Sequence, residues 1–79
     1  MKCFVVCFIR KGKCTQRQFD EAPECINYIR RYIGEIKDCE IYPNYYKNAD
    51  VVKIETENNF ITIITPLGEA QKIEDALSK

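Results

Sequence analysis

"CFVVCFIRKGKCTQRQF", residues 3–19, decides the fold. An apolar run rich in β-formers (3–9) meets Arg10, then Lys11-Gly12, then a more polar run. Lys11-Gly12 suits a two-residue turn, because glycine takes positive φ at little cost. The implied register pairs Phe4 with Phe19, Val6 with Arg17, Phe8 with Thr15 and Ile9 with Cys14.

The next stretch, "DEAPECINYIRRYIGEI" (20–36), changes period. Ala22, Cys25, Ile26, Ile29, Ile33 and Ile36 recur at steps of three and four, which predicts an amphipathic helix of roughly four turns. Asp20 is expected to cap it, and Pro23 fits a first turn. Gly34 weakens its last turn. Arg30 and Arg31 fall toward its polar side.

The pattern then repeats. "DVVKIETENNFITIIT" (50–65) reads as strand, Asn58-Asn59 turn and strand. "TPLGEAQKIEDAL" (65–77) reads as a helix with Thr65 as cap, Pro66 in the first helical position, and Leu67, Ala70, Ile73 and Leu77 as its stripe. The expected organisation is one domain: a first ββα unit over 1–36, a tyrosine-rich connector over 37–49, and a second ββα unit over 50–79. The expected fold is therefore α+β, a ββα-ββα chain forming a four-stranded antiparallel sheet with both helices on one face. Strands 1 and 4 are apolar on both faces and belong in the centre, giving the order 2-1-4-3 with strands 2 and 3 as edges. Phe4, Val6, Phe8, Phe19, Val52, Ile54, Ile61 and Ile63 are assigned to the helices. The opposite face mixes Cys3, Val5, Cys7, Ile9, Val51, Phe60 and Ile64 with Gln16, Gln18, Lys53, Glu55 and Thr62. A half-apolar open face of this kind often meets a twin subunit, a partner or the chain's own loop.

The connector holds "IYPNYYKN" (41–48). About a dozen residues exceed the usual link between elements, so function or hidden structure is expected there. "CEIY" (39–42) suits a short strand before Pro43. Tyrosine combines a large apolar ring with a polar tip and few rotamers, which favours it at interface hot spots. Tyr42, Tyr45, Tyr46 and Lys47 are the expected partner-binding residues, with Tyr46 the ring expected to be exposed and Tyr42 expected to help close the core.

Composition narrows the chemistry. The 79 residues carry no net charge and no histidine. Without histidine there is no Ser-His or Cys-His catalysis and no imidazole metal site. The cysteines at 3, 7, 14, 25 and 39 contain no C-x-x-C pair. On one strand, Cys3 and Cys7 would lie about 13 Å apart, too far to bridge. Reduced, mostly buried thiols in the cytoplasm are the expectation. The opening "MKCFVVCFIRKGK" lacks a small-residue cleavage site and is too short an apolar run to cross a bilayer. No catalytic, cofactor-binding or metal-binding residue is assigned, and an enzyme is not expected.

Charge is split along the chain. Residues 1–39 carry eight Lys/Arg against five Asp/Glu, and residues 40–79 carry four against seven. Such a split can orient a partner or a second copy, so a homodimer is one expectation. The leading expectation of function is a small non-enzymatic protein-binding module or inhibitor that docks on a larger protein or ribonucleoprotein. Chains of this size and sparse chemistry are common among phage and other mobile-element accessory proteins, including the anti-CRISPR-like, anti-defence kind. The alternative is a nucleic-acid-binding regulator that uses Arg10, Lys11, Lys13 and Arg17 of the first hairpin with Arg30 and Arg31. The segment "RKGKCTQRQFDEAPECINYI" resembles, over some twenty residues, the hairpin-then-helix of small DNA-binding modules attached to phage integrases. The additional strand of those modules has no counterpart here, and no family membership follows.

Overall fold

A computed structural model describes residues 4–32, 35–57 and 59–78. Cys3, Ile33, Gly34 and Asn58 lie outside the described residues, as does the side chain of Arg10. The chain runs β1 (Phe4–Arg10), β2 (Lys13–Phe19), α1 (Ala22–Tyr32), β3 (Ile36–Tyr46), β4 (Ala49–Thr56), β5 (Asn59–Pro66) and α2 (Ala70–Leu77).

The first hairpin forms as its sequence dictates. Lys11 and Gly12 take φ of 51° and 80°, the left-handed pair that matches strand twist. All four expected cross-strand pairs are present, from Phe4 opposite Phe19 to Ile9 opposite Cys14. The sheet is α+β and antiparallel, but it has five strands, in the order β2-β1-β5-β4-β3. The four expected strands keep their expected relative order. The fifth is the supposed connector: β3 pairs with β4 and takes the outer edge, so β4 is an inner strand. The element order is ββα-βββα rather than a plain repeat of ββα. The sheet also joins the two expected units directly, because β1 pairs with β5.

Helix limits shift for local reasons. Ile36, expected to end the first helix, opens β3 instead and pairs with Thr56. The cap position of α1 falls on Glu21 rather than Asp20, since the Glu21 carbonyl accepts the Cys25 N–H. Thr65 and Pro66 do not start α2. They extend β5 opposite Asp50 and Ala49. Gly68 then turns the chain at φ 82°, and α2 begins at Ala70 behind Glu69. Leu67 is therefore outside the helix and exposed. Asn59 belongs to β5 rather than to a turn, and its N–H donates to Thr56 Oγ1 at 3.0 Å.

Both helices cover one sheet face. Phe4, Val6, Phe8, Val52, Ile54, Ile61 and Ile63 are buried there against Cys25, Ile29, Ala70 and Ile73, with Phe19 partly buried beside them. Cys25 behaves as a small hydrophobe, and burial pushes its thiol up to about 12. Arg30 links the helices, donating from Nη2 to the Ala76 carbonyl at 2.7 Å. Among the described residues no helix is long and apolar enough to cross a membrane.

The two faces of β5 should respond differently to truncation. Ile63→Ala, in the core, is expected to cost about 2–5 kcal/mol, up to outright unfolding. Phe60→Ala, on the open face, should stay within about 0.5 kcal/mol in dilute protein. Urea denaturation measures both, and equal losses would contradict the assignment of faces.

Candidate functional site

The tyrosine stretch is the outer strand of a hairpin, not a loose loop. Alternation explains why it pairs. Cys39 and Ile41 point to the core, opposite Ile54 and Val52. Asp38, Glu40 and Tyr42 point to the open face, opposite Glu55, Lys53 and Val51. Pro43 lacks an N–H to donate, which only an edge strand tolerates. Between Tyr42 and Tyr46 the register shifts in a bulge. Asn44 takes φ 51° within it, and Asn48 takes φ 56° in the turn to β4. Asparagine tolerates the left-handed region better than most side chains, so both asparagines of "PNYYKN" serve the backbone.

Asp50 fixes this shape. Its carboxylate is buried, at 6% exposure. Oδ1 accepts the Asn44 N–H at 2.7 Å, and Oδ2 accepts the Gly68 N–H at 3.0 Å. One charged side chain thus ties the β3 bulge to the turn before α2. Nothing in the local sequence around Asp50 signals that role, because its partners lie six and eighteen residues away.

The rings meet edge to face. Tyr42 and Tyr45 centroids are 5.8 Å apart, and Tyr45 and Tyr46 centroids are 5.3 Å apart. Tyr42 is half-buried, with Lys53 Nζ 5.1 Å from its ring centroid. Its hydroxyl donates to the Glu40 carboxylate, and that hydrogen bond, with burial and nearby acids, holds the phenol above its usual pKa. Tyr45 and Tyr46 are 59% and 54% exposed, and Lys47 is exposed beside them. The exposure expected of Tyr46 is present, and Tyr45 shares it. Tyr42 covers the open face beside Val51, not the helix-side core. Val51 is 2% exposed, between its cross-strand partners Tyr42 and Ile64.

The rest of the open face is only partly covered. At the end near the first hairpin, Cys14, Ile9, Phe60, Glu55 and Asp38 form one row across all five strands. Ile9 and Phe60, adjacent in that row, are 43% and 57% exposed. A groove of about 220 Å³ lies beside Phe60, lined by Asp38, Glu40, Lys53, Glu55 and Thr62. Among the described residues, no three Cys, Asp or Glu side chains gather in an arrangement that would hold a metal.

The basic residues divide between the first hairpin and α1. Lys11, Lys13 and Arg17 are exposed along the first hairpin. The Arg17 guanidinium lies 5.7 Å from the Tyr28 ring centroid on α1. Arg30 is committed to the end of α2, and Arg31 is exposed. Arg10 ends β1 opposite Lys13. No family model, no curated protein and no solved structure matches this chain.

Removing the Asp50 carboxylate should loosen the tyrosine hairpin. Asp50→Ala strands two N–H groups and is expected to cost about 2–4 kcal/mol. Thermal unfolding should show the loss, whereas the exposed control Glu57→Ala should melt like the parent. Identical melting of Asp50→Ala and the parent would contradict the clasp.

Proposed function

We propose that this chain is a non-enzymatic protein-binding module that docks on a larger partner through the end of the β3–β4 hairpin. One observation carries the reading: two exposed tyrosine rings are held edge to face on a hydrogen-bonded hairpin, with Lys47 beside them. Rings already fixed lose little freedom on binding, so their burial contributes more to affinity. The complementary surface would offer an apolar pocket with acceptors for the phenolic hydroxyls and an acid for Lys47. Inhibition of that partner, as in the anti-CRISPR-like class, is the extension of this reading to a mobile-element setting. A reducing, cytoplasmic location belongs to the same proposal. It is supported by the free thiols of Cys7, Cys14, Cys25 and Cys39.

The alternative is a nucleic-acid regulator working through Lys11, Lys13 and Arg17. Their exposure along one hairpin favours it. A nuclease-treated pull-down from the source cells separates the two. Under the protein-binding reading, Tyr45→Ala/Tyr46→Ala folds normally and loses captured protein, while nuclease changes nothing. Capture that survives the double substitution overturns that reading. Capture abolished by nuclease and by charge reversal at Lys11, Lys13 and Arg17 establishes the alternative.

A further inference from the structure

Both helices lie on one side of the sheet, which leaves Ile9 and Phe60 adjacent and uncovered on the other. The charge around them is polarised across the strands. Asp38 and Glu40 stand on the β3 edge, with Glu55 next to them on β4. At the opposite edge the β1–β2 turn carries exposed Lys11, while Lys13, the first residue of β2, shares the helix-side face with Arg17, and residues 1–19 contain no acid. The chain therefore carries both a groove of three acids around Lys53 and, at Lys11, a cation that complements its net negative charge.

We infer that a second copy of this chain covers the open face, related to the first by a twofold axis running along β5. Such an axis lays β2 of one copy over β3 of the other and β5 over β5. Each Lys11 turn then approaches the Asp38–Glu55 end of the other copy, twice by symmetry. The two Phe60 rings meet near the axis, flanked by Ile9 from each side. Charge selects this axis. A twofold axis across the strands would set β3 on β3 and acid on acid, which opposes association. Stacked sheets keep their strands within about 30° of each other, so the strand order still decides which edges meet.

The interface is small. Five strands at about 4.8 Å spacing and rows spanning about 17 Å give roughly 400 Å² of sheet per copy. Stable complexes bury about 800 Å² per partner, so a concentration-dependent dimer is expected. This inference does not rest on the tyrosine reading, because Tyr45 and Tyr46 lie at the hairpin end, beyond the stacked rows.

Sedimentation equilibrium of the full chain from about 10 μM to about 1 mM tests it. The parent should shift from monomer to dimer across that range. Phe60→Asp, checked for folding by circular dichroism, should weaken association about 30-fold or more. Glu55→Lys and Lys11→Glu should each weaken it about fivefold, and the two together should restore it. Tyr45→Ala/Tyr46→Ala should dimerise like the parent. A monomer at every concentration overturns the inference. So does association that survives Phe60→Asp, or a charge swap that fails to restore dimerisation.

Discussion

The arrangement of the tyrosine hairpin depends on a single buried carboxylate. Asp50 sits near the start of β4, where a charged group would ordinarily be costly. It is tolerated because each oxygen accepts a backbone N–H, one from Asn44 and one from Gly68. Those two donors belong to two places where the chain departs from regular structure: the bulge of β3 after Tyr42 and the turn before α2. Both departures have positive φ, at Asn44 and at Gly68. The carboxylate thus offsets local strain with two charge-assisted bonds. It also joins the outer strand to the segment that delivers α2.

The first hairpin was fully legible, because Gly12 names the turn and alternating apolar residues set the register. The split of the sheet into a covered and an open face was equally legible, since side-chain period fixes it. The outer strand was legible only in part: Cys39–Tyr42 suits a short strand, but its extension to Ile36 and Tyr46 does not show. Pro43 and two asparagines look like a break, yet an edge strand needs no N–H from proline, and the bulge needs asparagine's tolerance of positive φ. The start of α2 was misplaced for a related reason. Thr65-Pro66 has the composition of a helix start, but pairing with Ala49 and Asp50 keeps it in the sheet. Tertiary pairing overrode a local preference in both cases.

The candidate site was legible in composition and not in geometry. The tyrosines are conspicuous in the sequence, and two of the three are exposed. Tyr42 works differently: it stands opposite Val51 on the open face and donates to Glu40. Among the basic residues, Arg30 is drawn to the Ala76 carbonyl and Arg17 lies over Tyr28. A sheet covered on one side only leaves two surfaces of different character, a tyrosine-bearing hairpin end and a polarised face around Phe60. One chain of 79 residues can use both, because they lie in different regions of the sheet.

Residues 36–46 form a hydrogen-bonded edge strand and not a loop. Residue-resolved amide hydrogen exchange in the native protein tests it most directly. An edge strand bonds to its single neighbour with alternate residues, so protection should alternate along 38–42, where the register is regular, and extend to the Asn44 amide held by Asp50. Exchange at unstructured rates throughout 36–46 would contradict the account.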